Sequence, residues 1–130
     1  MRKSLLIAVI AVVVVAGVVA FLLAYRPTEA VTASVQVTGP RGKTEFQGTE
    51  VDKFTFSPSN VTVTAGTRVV WTNVDPSNQH TVTSDGGLFD SGILAPGESF
   101  TFTFTAPGTY SYHCSIHPWT VGAIEVTLEG

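Results

Sequence analysis

Cysteine occurs once in this 130-residue chain, at Cys114, and methionine once, at Met1. A single cysteine forms no internal disulfide, so in an exported protein it is buried, paired between chains or used chemically. Past Met1 the chain has no thioether at all. Charge is also scarce. Arg2 and Lys3 precede the long apolar run, which leaves 5 Lys+Arg against 10 Asp+Glu over residues 26–130, a formal −5. A mildly acidic segment is poorly suited to a phosphate backbone, so no nucleic-acid partner is expected. Also missing are internal repeats, low-complexity tracts, a phosphate-cradling glycine loop, a Ser-His-Asp arrangement and a carboxylate pair with a mechanism. The commonest routes to an enzyme are thereby removed. After residue 30 no stretch carries a helical period.

What is present divides into three. From Leu5 to Tyr25 there is no charged residue. As a helix, a run of that length covers roughly 30 Å, about one hydrocarbon core. It is longer than the apolar core of a secretory signal and lacks a good small-residue cleavage site at its end. Residues 1–25 therefore read as an N-terminal anchor, a single transmembrane helix, rather than a cleaved signal. Arg2 and Lys3 favour a cytoplasmic N-terminus. The expected location is the cell membrane, single-pass, with the rest of the chain on the extracytoplasmic side, or secreted or periplasmic if the segment is cleaved. Residues 26–50 read as a linker in which "VTASVQVT" is a possible first strand. Residues 51–130 form the main domain.

In that domain the period is two. "FTF" places Phe54 and Phe56 on one face, "VTVT" does so for Val61 and Val63, and "FTFTFT" for Phe100, Phe102 and Phe104. Short runs alternating β-branched or aromatic residues with polar ones are the signal of half-buried strands. "SPSN", "TAGT", "VDPSN", "SDGG", "APGE" and "APGT" punctuate them. The expected class is all-β, a sandwich or barrel. Trp71 reads as core. Asp75, Asp85, Asp90 and Glu98 fall in turn segments and read as solvated charges. "NVT" at Asn60 matches a glycosylation acceptor and equally a plain turn asparagine.

The stretch "YHCSIHPWT" carries the chemistry. Tyr110, Tyr112 and Cys114 share a parity, so Cys114 points inward at a strand end and His113 points away. Cys114 and His117 stand three apart. A third donor must come from elsewhere, and His80 in "NQHTV" is the candidate. Alone, Cys114 also reads as a buried small hydrophobe and His80 as a turn histidine. Together, a thiolate and two imidazoles form the trigonal set associated with copper electron-transfer sites.

With "FTFSPSNVTVTAGTRVVWTN", "HTV", "FDSGILAPGESFTFTFTAPGTYSYHCSIHP" and "GAIEV" in that order, the chain from about residue 54 onward resembles a cupredoxin of the plastocyanin/amicyanin type. The resemblance implies a Greek-key β-sandwich holding one type 1 copper ion through His80, Cys114 and His117. It implies that the Thr81 N–H donates to the Cys114 sulfur, that Thr81 ties the two ligand loops together through Ser115, and that Pro118 removes an N–H donor and stiffens the loop. Trp119 helps to shield the metal. The departure is Thr120, which stands where the amicyanin pattern has its axial methionine. The axial position is then filled by the Thr120 hydroxyl or a water, or left empty, with the Gln79 carbonyl on the opposite side. An empty position raises the potential, whereas an oxygen ligand lowers it.

The function expected is an extracytoplasmic electron carrier cycling between Cu(I) and Cu(II), not an enzyme. Its redox protein partners would dock near Ile116, His117 and Trp119, with the membrane held through residues 5–25. The alternatives are a copper-delivery module for an oxidase and a copper enzyme with an axial position opened by the small Thr120.

Overall fold

The computed structural model describes residues 30–129. The expected membrane helix lies outside the described residues. Among those described, no helix is long and apolar enough to cross a membrane.

Ten strands follow in order: β1 (Thr32–Thr38), β2 (Lys43–Phe46), β3 (Thr49–Asp52), β4 (Thr55–Ser57), β5 (Asn60–Thr64), β6 (Thr67–Asn73), β7 (Thr83–Ser84), β8 (Ser99–Phe104), β9 (Gly108–His113) and β10 (Val121–Thr127). They make two four-stranded sheets, β4-β1-β6-β8 and β5-β10-β9-β7, and one separate hairpin, β2-β3. Two pairings are parallel, β1 with β6 and β5 with β10, and the others are antiparallel. The all-β expectation holds among the described residues.

Alternation explains the sandwich. Val35, Val37, Phe56, Val69, Trp71 and Phe104 from the first sheet form one buried cluster with Val63, Tyr112, Ile124 and Val126 from the second. Trp71 sits at the centre, 5.5 Å in ring-centroid distance from Tyr112 and 5.6 Å from Phe89. Each fully buried side chain of this kind stabilises the fold by about 1.5–3 kcal/mol through removal of apolar surface from water. The intervening threonines of "FTFTF" face outward, as their parity predicts.

The stretch expected as a linker with a possible first strand contributes more than that. β1 lies between β4 and β6 and is therefore an interior strand. β2 and β3 are joined by Gln47 and Gly48, both at positive φ (51° and 80°), the two-residue turn whose twist suits a hairpin. The hairpin base is closed by Arg41 N–H to the Lys53 carbonyl (2.8 Å) and Lys53 N–H to the Gly42 carbonyl (3.0 Å).

Candidate metal centre

His80, Cys114 and His117 come together at one end of the sandwich, from two loops. His80 lies between β6 and β7, where its backbone forms a bridge with Leu94. Its N–H donates to the Leu94 carbonyl at 3.1 Å and its carbonyl accepts from the Leu94 N–H at 2.7 Å. Cys114 follows directly on β9. His117 lies in the turn that leads to β10, a turn closed by Cys114 N–H to the Thr120 carbonyl (3.0 Å) and Thr120 N–H to the His117 carbonyl (2.8 Å).

The Cys114 Sγ is 3.8 Å from His80 Nδ1 and 3.6 Å from His117 Nδ1, and the two Nδ1 atoms are 3.2 Å apart. Metal–nitrogen bonds of about 2.0–2.1 Å and a metal–sulfur bond of about 2.3 Å would set a planar three-ligand site at roughly 3.6 Å between nitrogens and roughly 3.8 Å from sulfur to nitrogen. The triangle fits a metal with two imidazole nitrogens and one thiolate.

The electrostatics favour such an ion. Burial pushes the Cys114 thiol up, but the His80 imidazole and the N–H groups of Thr81, His117 and Ile116 outweigh it, so the thiol lies below its ordinary range. The Thr81 N–H reaches Sγ at 3.3 Å. Burial, then the neighbouring His80, lowers His117. A lowered imidazole offers its lone pair instead of a proton.

Thr81 also joins the two loops. Its hydroxyl accepts the Ser115 N–H (2.7 Å) and lies 3.0 Å from the Ser115 hydroxyl and 2.9 Å from the Thr83 hydroxyl. Pro118 and the Gln79 side chain are exposed. His113 points away from the triangle and donates from Nδ1 to Asp85, as its parity predicts.

Three features were not legible beforehand. Phe54, which alternation places on one face with Phe56, packs against both imidazoles, with centroids 4.9 Å from His80 and 4.2 Å from His117. The β2-β3 hairpin docks on the ligand loop. The Trp119 indole donates to the Asp52 carbonyl at 2.8 Å, and its ring lies 5.4 Å from Phe46 and 5.5 Å from His117. Asp75 corrects an expectation. It was read as a solvated turn charge, yet it is fully buried, and His80 Nε2–H donates to its Oδ2 at 2.9 Å. Burial pushes that carboxyl up, but the Ser77 N–H, the His80 imidazole and Asn78 more than offset it and hold it ionised. His80 responds in turn: burial lowers it, and Cys114 and Asp75 raise it to a net upward shift. The signal available was only "D-P-S-N" preceding a histidine, which ordinarily marks a turn.

Thr120 is 2 % exposed. The expectation that a small residue here opens the site to solvent is not met. Among the described residues its hydroxyl finds no hydrogen-bond partner. A buried hydroxyl without a partner is costly, so Thr120→Val should raise the stability of the metal-free protein by about 1 kcal/mol. Urea unfolding would show a higher midpoint at unchanged slope. A loss of similar size would mean that the hydroxyl is already satisfied.

The profile described as a cupredoxin-like domain matches residues 12–126. Amicyanin-alpha of Methylorubrum extorquens is 32% identical over 114 residues, covering 82% of this chain and 93% of that protein. A purple cupredoxin from Nitrosopumilus maritimus superposes with a TM-score of 0.56 at 35% identity, over 71% of this chain and 98% of the other. A copper-containing nitrite reductase of Thermus scotoductus matches 80% of this chain but only 24% of its own length, with a TM-score of 0.60 at 26% identity.

Proposed function

The chain belongs to the family of cupredoxin-like domains, whose members hold one type 1 copper and carry single electrons, and from that premise we propose an extracytoplasmic, membrane-anchored electron carrier. The observation that carries the reading is the triangle of Cys114 Sγ and the two Nδ1 atoms, braced by the Thr81 N–H at the sulfur, by Asp75 at His80 and by the Thr81–Ser115 bond between the loops. His80, Cys114 and His117 would hold the metal. Bound copper would supply a centre that takes up and releases one electron.

The surrounding residues serve that exchange by staying in place. Thr81 and Ser115 lock one ligand loop to the other, and Trp119 fastens the hairpin over the second. A donor set held in place by its own loops has little to rearrange when the metal's charge changes. Phe54 and Trp119 pack against the His117 ring, while Ile116 beside it is 42 % exposed. An apolar rim around a half-buried imidazole suits brief contact with a redox protein, and His117 is the proposed port. Delivery of copper to an oxidase fits less well, because residues 30–129 contain no methionine for soft-metal exchange. Catalysis at an open axial position fits less well because Thr120 is buried.

Cu(II) added to the purified protein is the test. An intense thiolate-to-copper band in the visible, blue to purple, with narrow copper hyperfine splitting, is the expected result. A colourless Cu(II) form lost on dialysis would remove the carrier reading. Azide bound directly at the metal would favour the enzyme.

A further inference from the structure

A fully buried carboxylate beside a ligand imidazole needs a reason. Asp75 Oδ1 accepts the Ser77 N–H (3.0 Å), the Asn78 N–H (3.1 Å) and the Asn78 side-chain amide (3.2 Å). Its Oδ2 accepts that amide (3.0 Å) and His80 Nε2–H (2.9 Å). The loop around it is itself pinned. Asp75 N–H donates to the Asn73 side-chain oxygen at 3.0 Å, and the Asn73 amide donates to the carbonyls of Asn78 and Leu94, each at 2.9 Å. Gly39 closes the other side, where a Cβ would stand 3.3 Å from Oδ1.

We infer that Asp75 is a positioning residue: by accepting from Nε2 it fixes His80 in the tautomer whose bare Nδ1 faces Cys114 and His117, and its buried charge biases the site toward the higher copper oxidation state. The inference rests on the copper reading above. A neutral imidazole carries one proton, so an acceptor held at Nε2 leaves Nδ1 free to ligate. His117 is built differently. Its ring is held between Phe54 and Trp119, and among the described residues no carboxylate within hydrogen-bond reach addresses it. The two imidazoles are therefore not equivalent, one being fixed by charge and the other by aromatic packing. Charge counting gives the direction of the bias. The Cys114 thiolate and the Asp75 carboxylate balance a divalent ion, and adding one electron leaves one negative charge in excess between two fully buried groups.

Asp75→Asn keeps the shape but accepts hydrogen bonds at one end only, so either His80 or the Ser77 and Asn78 amides lose their acceptor. The expected result on the full-length chain is at least a tenfold fall in Cu(II) affinity relative to Cu(I). That fall reads as a rise in midpoint potential of about 59 mV per tenfold. Glu125→Gln, which removes an exposed carboxylate on β10, should leave the potential where it is. Nitrogen-15 NMR of the metal-free wild type supplies a readout that needs neither copper nor a folded variant. Above the pH at which its imidazolium loses a proton, His80 should show a protonated Nε2, slow to exchange, and a bare Nδ1. A neutral wild-type His80 protonated at Nδ1 instead of Nε2 would overturn the inference. So would a folded Asp75→Asn protein of unchanged potential, or an equal shift in Glu125→Gln. A chain that takes up no copper would remove the carrier reading, while the tautomer measurement would still decide the role of Asp75.

Discussion

Cys114→Ser is expected to abolish the visible band of the copper-loaded protein and to weaken Cu(II) binding by orders of magnitude, while the sandwich stays folded. A serine hydroxyl does not ionise in the accessible pH range, so the anion that completes the donor triangle is lost. Its shorter bond also withdraws the donor atom from the position that lies 3.6 Å and 3.8 Å from the two imidazole nitrogens. Folding should suffer little. The backbone bond from Cys114 N–H to the Thr120 carbonyl is untouched, and the new hydroxyl inherits the Thr81 N–H as a donor. One imperfectly satisfied buried hydroxyl costs about 1 kcal/mol. The visible spectrum and a thermal melt followed by circular dichroism separate the two effects. A band that survives the substitution would remove Cys114 from the ligand set.

Gly122→Val should have the largest effect on stability of any single change at the back of the site. Gly122 pairs with Tyr112 across β10 and β9, and the Tyr112 ring lies over it. A Cβ at position 122 would stand 2.4 Å from both the ring carbon and the hydroxyl of Tyr112, far inside contact distance. The ring has nowhere to go, because Phe56 meets it at 4.8 Å and Trp71 at 5.5 Å. Overpacking of this kind costs about 3 kcal/mol, a fall in melting temperature of roughly 10 to 20 °C for a domain of this size. The damage also reaches the metal site, since Tyr112 stands two residues before Cys114 on the same strand face. Burial pushes the Tyr112 hydroxyl up to about 12, so the group stays neutral and adds no charge to a core it already fills. A melt unchanged within a few degrees would mean that the β9-β10 pairing has room for the added side chain.

These two residues illustrate what could be read beforehand. The inward direction of Cys114 followed from parity with Tyr110 and Tyr112, because a strand has a period of two and a bulky apolar face is buried. The same argument set His113 aside, and it is found on the opposite face against Asp85. Phe56 and Phe104 were legible as core for the same reason. Gly122 was not, since nothing in "VGAIEV" says which side chain will lie across the strand from it. Asp75 was missed for a related reason. "VDPSN" has the composition of an exposed turn, and only the arrival of His80 and the approach of Gly39 turn it into a buried acceptor. The hairpin escaped notice because Gln47-Gly48 is a weaker turn signal than Asn-Gly, and because its strands, "KTEF" and "TEVD", carry few apolar residues. Phe54 was placed on the correct face, but its contact with both imidazoles depends on packing that no local pattern encodes.

The two parallel pairings carry a consequence for how the protein assembles. Val35 lies beside Trp71, and Val63 beside Val126, so each sheet is completed only after a long loop has closed. Domains dominated by such distant pairings fold in milliseconds to seconds, well behind helical bundles of similar size. His80 and Cys114 both lie in the long loop that the β5-β10 pairing closes. A copper ion present during synthesis therefore meets separate histidines and a loose thiol, which it can oxidise, for the whole of that interval. Metal added after the sheets have closed is the order of events this topology rewards.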